Sequence, residues 1–116
     1  MQFKIMNKFL RFISPKNVIA ISLSPIGIFF KNEIYMKYLH IINHEKIHWC
    51  QQKETLVIFY YIIYIIEFFI KLLILGKSNA IISISFEQEA YFHENEPSYI
   101  LNRKPYSWIK YIFKSY

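Results

Sequence analysis

Asn43-His44-Glu45-Lys46-Ile47-His48-Trp49-Cys50-Gln51-Gln52 is the stretch on which the reading of this chain turns. It contains the pattern H-E-x-x-H. Residues four apart share one face of an α-helix, so His44 and His48 can reach a single metal ion. Glu45, next to the first of them, can take a proton from a water that the ion activates. Zinc suits two imidazoles, and a catalytic zinc takes three protein ligands and keeps one position open. His40 extends the stripe, but ~12 Å of helix axis separates it from His48. The pair His40/His44 also has Ile41 where the base would stand. The competing reading is two surface histidines on an ordinary helix. Gln51 and Gln52 continue this face by one turn, either as hydrogen-bond partners of a ligand or substrate or as a solvated helix end.

The helix carrying the pattern is expected over residues 34–53, starting at about Ile34 or Tyr38, with Asn32 as its cap. Upstream, residues 18–23 and 28–31 read as a β-hairpin around Ser24-Pro25-Ile26-Gly27. A strand there would either offer its edge to an extended peptide or only cover the core. Residues 1–16 mix Lys4, Lys8, Arg11 and Lys16 with an apolar stripe, which reads as a basic amphipathic helix ended by Pro15. The apolar run that follows is interrupted by Pro25 and Gly27 and is not followed by a small-residue cleavage site, so it does not read as a cleaved signal peptide.

Downstream, TLVIFYYIIYIIEFFIKLLIL at 55–75 is long enough to span a bilayer. Tyr60, Tyr64, Glu67 and Lys71 form one polar-tinged stripe on it. Glu67 and Lys71 either mark a functional site or stitch two helices together. Gly76-Lys77-Ser78-Asn79 stops this helix, residues 80–85 read as a short extended piece, and Ser85 can cap a helix over 85–96. Residues 98–116 look like a basic, aromatic helix broken near Pro105. The fold class is therefore mainly α with a short N-terminal β-hairpin, an α+β chain of one domain.

Apolar residues make up 54% and aromatics 20% of the chain, both high for a soluble protein. Together with a net charge of +6 this points to an anionic membrane face. No nucleic-acid module is visible and the basic residues are scattered, so no nucleic-acid partner is expected. The single cysteine, Cys50, excludes an internal disulfide and reads as a buried free thiol facing away from the histidines.

A catalytic zinc needs a third ligand, and Glu87, Glu89 and Glu94 are the candidates, with His93 behind them. The segment Ser85-Phe86-Glu87-Gln88-Glu89-Ala90-Tyr91, downstream of an H-E-x-x-H helix, resembles the gluzincin zinc metallopeptidases. It looks most like their membrane-associated branch, the CAAX prenyl proteases and bacterial heat-shock membrane proteases, where the segment often reads E-x-x-A-D. The resemblance implies that Glu87 is the third zinc ligand. The wider frame N-H-E-x-I-H-x-x-Q-Q, then an apolar helix, then S-F-E-x-E-A-Y, also looks like a group of short bacterial proteins of uncharacterised activity. Tyr91 stands where the peptidases carry an orienting Asp, and this chain contains no Asp. That orienting role would fall to Glu94, Glu89, Tyr91 or a backbone carbonyl. A transition-state stabiliser has no motif here; His93, Tyr99 and Arg103 are the candidates.

The resemblance implies a zinc peptidase at the bacterial cytoplasmic membrane, acting on a peptide or protein substrate with Glu45 as general base. The alternative is a basic membrane or interaction protein whose histidines hold a structural metal or none. One constraint ties these readings together. If residues 55–75 crossed a bilayer once, His48 and Glu87 would lie on opposite sides. A helix running straight from His48 to Leu75 would be ~40 Å long, and the steps from Leu75 to Glu87 reach at most ~41 Å. A break near residues 53–56 is therefore expected, with the apolar helix folded back beside the histidine helix.

Overall fold

The computed structural model describes residues 2–13 and 18–113. It is mainly helical, with one small sheet near the N-terminus. Strand β2 (Ala20–Leu23) and strand β3 (Gly27–Phe30) form the expected hairpin, antiparallel, with Ala20 opposite Phe30 and Leu23 opposite Gly27.

The N-terminal segment departs from the expected helix. Phe3–Ile5 form a strand, β1, which pairs in parallel with β3. The helix α1 starts only at Lys8 and runs Lys8–Ile13, where Asn7 Oδ1 accepts from the Leu10 N–H at 2.8 Å. Helical periodicity in residues 3–6 yields because β3 would otherwise expose a row of unpaired backbone groups. Gly27 permits this approach: a Cβ there would lie 2.9 Å from the Gln2 carbonyl oxygen. The expected stop at Pro15 lies outside the described residues.

Asn32 accepts from the Ile34 N–H and caps a 3-10 turn (Glu33–Lys37) that leads into helix α2 (Leu39–Glu54). Ile41 and Trp49 on α2 pack against Ile28 and Phe30 of the sheet in one apolar cluster. Helix α2 ends where the reach argument requires. Thr55 closes it by donating its hydroxyl to the Gln51 carbonyl at 2.7 Å. Leu56 and Val57 then take positive φ angles of 57° and 63° and turn the chain. Helix α3 (Ile58–Leu75) leaves this corner with only Tyr60 and Glu67 buried.

Gly76, at φ 84°, stops α3. Residues 80–85 are not extended, contrary to the sequence expectation. Helix α4 (Lys77–Ala80) and a 3-10 turn (Ile81–Ser83) fill that stretch, and neither joins the three-stranded sheet. Lys71 Nζ holds the Ser83 carbonyl at 2.5 Å, and Glu67 binds both the Ser85 N–H and its hydroxyl. Ser85 is therefore the first residue of helix α5 (Ser85–His93) and not its cap; a carboxylate from α3 takes that place. A second apolar cluster of Tyr60, Ile84, Phe86 and Trp108 locks α3, α5 and the C-terminal segment together. That segment is not one helix: α6 spans Tyr99–Asn102 and a 3-10 turn spans Ser107–Tyr111, with Tyr106 left-handed between them. Residues 114–116 lie outside the described part.

Candidate metal centre

The histidine pair comes from α2 and the carboxylate from α5, which packs beside it. His44 Nε2 and His48 Nε2 lie 3.1 Å apart. Glu87 Oε1 is 3.2 Å from the first and 3.1 Å from the second. The three atoms form a nearly equilateral triangle. A tetrahedral zinc at ~2.0–2.1 Å from each ligand requires ligand separations of about 3.3 Å. The donor set and its dimensions therefore fit such an ion, and His44, His48 and Glu87 are the metal-competent cluster found among the described residues.

The outer atom of each ligand is already engaged. His44 Nδ1 lies 3.1 Å from Glu94 Oε2, and His48 Nδ1 lies 2.8 Å from Gln51 Oε1. Glu87 Oε2 accepts from the Tyr64 hydroxyl at 2.8 Å. A carboxylate and an amide oxygen only accept, so each neutral imidazole carries its proton on Nδ1 and presents the lone pair of Nε2 to the triangle. The orienting role that an Asp fills in the resembled peptidases falls here to Glu94 for one histidine and Gln51 for the other. Tyr91 packs its ring edge-on to His44, with centroids 4.5 Å apart.

Glu45 is buried on the same cavity. Ser22 of β2 donates its hydroxyl to the Glu45 carbonyl at 2.6 Å and faces Oε1 at 3.1 Å. Burial pushes the Glu45 carboxyl up, and the pull of His48 and His44 only partly offsets this. Burial would likewise raise Glu87, but His48 and His44 outweigh it and hold that carboxyl well below the usual range. Burial alone would lower the His44 pKa; hydrogen bonds to Glu87 and Glu94 prevail and raise it to about 10. A cation arriving at this triangle must therefore displace a tightly held proton.

The cavity over the triangle measures about 660 Å³ and is lined by residues 18–22 of the sheet edge, by Tyr60, Tyr61 and Tyr64 of α3, and by Tyr91 and Glu94. His40 also lines it but is not part of the triangle.

Other sequence candidates lie elsewhere. Glu89 is fully buried against Arg103, Tyr99 and Gln51, away from the triangle. Arg103 bridges Glu89 and Glu54, so its guanidinium is committed to those two carboxylates and is not part of the cavity lining. His93 stacks on Tyr99 and bonds Glu96 and the Tyr111 hydroxyl. None of His93, Tyr99 and Arg103 lines the cavity, so none stands where a transition-state stabiliser must. Gln52 ties the sheet to α2 by receiving the Ser24 N–H and donating to the Ser22 carbonyl, both at 2.8 Å. Cys50 is a half-buried free thiol, and burial pushes its pKa up. Two contributors escaped the sequence reading: Ser22, which carries no signal, and Tyr64, whose stripe with Tyr60 and Glu67 was visible without its partner.

Comparison of the chain with protein-family models, with curated proteins and with solved structures finds no match.

Proposed function

We propose that this protein is a membrane-associated zinc metallopeptidase. The observation that carries the reading is the inward triangle of two lone pairs and one carboxylate oxygen, each held in place by a partner on its outer atom. Bound zinc would polarise a peptide carbonyl and lower the pKa of water. Glu45 then accepts the proton of the attacking water and passes it to the leaving amine. Its raised pKa suits both halves of that task, and the Ser22 hydroxyl holds the carboxylate in place.

The sheet edge offers a seat for substrate. The Ile19 carbonyl accepts from the Lys31 N–H at 2.8 Å, so the alternation of the antiparallel β2–β3 ladder turns the Ala20 N–H and C=O outward. That edge lines the cavity and can add an extended peptide as a further strand.

Two observations favour a lipid surface as the setting. Helix α3 is long and apolar enough to cross a membrane by length and composition, and most of it is exposed. Of the eight carboxylates only Glu33 and Glu96 are exposed, while Lys8, Arg11, Lys37, Lys53, Lys77, Lys104 and Lys110 all are. Exposed cations thus outnumber exposed carboxylates among the described residues, which suits anionic lipid.

A second reading is a non-catalytic membrane protein in which the same cluster is a proton-sharing structural network; the imidazole–carboxylate contacts, within hydrogen-bond reach at 3.1 and 3.2 Å, favour it. Metal analysis of the purified protein separates the two. One equivalent of zinc in the wild type, lost in Glu87→Ala and kept in Glu45→Gln, is expected from the first. Glu45→Gln should also slow peptide hydrolysis by roughly 10²–10⁴-fold. A wild type that takes up no zinc would leave only the second reading.

A further inference from the structure

Gln51 is fully buried one turn beyond His48, and its amide has no freedom to flip. The amide nitrogen donates to the Phe86 carbonyl at 3.0 Å and to Glu89 Oε1 at 2.9 Å. Four donor contacts converge on the Glu89 carboxylate, from Gln51 Nε2, the Tyr99 hydroxyl and two Arg103 nitrogens. Both neighbours of the amide nitrogen are therefore acceptors only. This leaves the amide oxygen facing His48 Nδ1 at 2.8 Å. The Tyr60 hydroxyl also approaches Nδ1, but at 3.4 Å it is the weaker partner. Glu89 is itself fixed from behind. Arg103 holds Oε2 through Nε at 2.6 Å and Oε1 through a terminal nitrogen at 3.0 Å, and the Tyr99 hydroxyl donates to Oε2 at 2.6 Å. A line of directed hydrogen bonds thus runs from Arg103 through Glu89 and Gln51 to His48.

We propose that Arg103 and Glu89 are positioning residues for metal capture, acting through Gln51 to set the tautomer and ring orientation of His48. This rests on the zinc reading above. Neither residue touches metal or substrate; each determines which nitrogen of His48 offers a lone pair. The geometry is directional throughout. If the amide turned over, its NH₂ would face His48 Nδ1 and its oxygen would meet two acceptors. Arg103 also grips Glu54, the last residue of α2, with Nη2 to Oε1 at 2.6 Å. A plain staple between α2 and α5 is therefore the rival role, and the test must separate the two.

The full chain is compared as wild type, Gln51→Leu, Arg103→Lys, the double variant and Glu54→Gln. Two quantities are read: the nitrogen-15 imidazole spectrum of neutral His48 in the alkaline range, and the zinc dissociation constant by chelator competition. Wild type is expected to show a protonated Nδ1 and an unprotonated Nε2. Gln51→Leu should give mixed tautomers and weaken zinc by roughly 10–100-fold. Arg103→Lys keeps the charge but loses the planar fork; it should weaken zinc by roughly tenfold or less and add nothing in the Gln51→Leu background. Glu54→Gln should lower the melting temperature and leave the His48 spectrum unmoved. Losses that multiply in the double variant, an unchanged tautomer in Gln51→Leu, or a spectral shift in Glu54→Gln as large as that in Arg103→Lys would each overturn the assignment. The spectrum needs no metal, so absence of zinc binding in the wild type would remove the proposed function while the tautomer readout still decides whether this hydrogen-bond line works as described.

Discussion

Tyr60, Tyr64 and Glu67 lie on one face of α3, and Ile62, Ile66, Phe69 and Leu73 lie on the opposite one. Each polar side chain on the first face touches the candidate site or the segment leading into it: Tyr60 approaches His48, Tyr64 holds Glu87, and Glu67 anchors the start of α5. The second face is between 46% and 88% exposed at those four residues. A surface helix of a water-soluble domain puts its polar residues outward. Here the order is reversed, with polar groups inward where a buried network satisfies them and hydrocarbon outward. An exposed apolar patch of this kind is unusual for a monomer in water.

Substitutions on the two faces should therefore have unequal effects on folding. Glu67→Ala is expected to cost the most, about 1–3 kcal/mol, because it strips the buried Ser85 N–H and hydroxyl of their acceptor; denaturant unfolding measures it, and a loss below ~0.5 kcal/mol would remove the inward face from the argument. Tyr64→Phe comes next. It leaves Glu87 Oε2 without its donor, and zinc affinity should fall roughly tenfold with little change in fold.

The pH response is a third probe. His44 has a pKa raised to about 10, above its unfolded value of 6.5. In chelator-stripped protein its contribution to stability is full below pH 6.5 and is lost as pH rises through about 10. Zinc affinity should run the other way and strengthen with pH, since the ligand proton must leave; parallel slopes in melting curves with and without zinc would contradict the shared site. The smallest effect on folding belongs to the outward face. Ile66→Ser with Phe69→Ser should change stability by less than about 0.5 kcal/mol each, yet sharply reduce co-sedimentation with anionic vesicles. Equal vesicle binding by this variant and wild type would break the contrast between the faces.

Much of this arrangement was legible in the chain. The four-residue spacing of His44 and His48 fixes their shared face, and the length of chain between His48 and Glu87 demanded a corner near residues 53–56, which Leu56 and Val57 supply. The fold class, mainly helical with a short N-terminal β part, follows from the two periodicities. What stayed hidden depends on distance in sequence. Phe3–Ile5 carry a helical stripe, yet they form a strand because β3 offers an edge that only the folded chain contains. Glu94 was offered for the orienting role without a partner, and it meets His44 across 50 residues; Ser22, which was not offered, meets Glu45 across 23. No local pattern announces such pairings, because each is made by packing and not by propensity. The break expected near Pro105 falls between Asn102 and Ser107, but what holds it was hidden: Arg103 and the Tyr106 N–H are drawn to Glu54, 52 residues before the second of them.

The triad joins points far apart along the backbone. His48 and Glu87 are separated by 39 residues, and all of α3 lies in the loop between them. A cation gripping both would act as a clasp of the folded state alone, adding by mass action about 2.7 kcal/mol at a free concentration of roughly 100 times its dissociation constant. Chelation should thus loosen α3 together with its clasp, so that an ion held by three side chains would set the rigidity of the eighteen-residue helix between them.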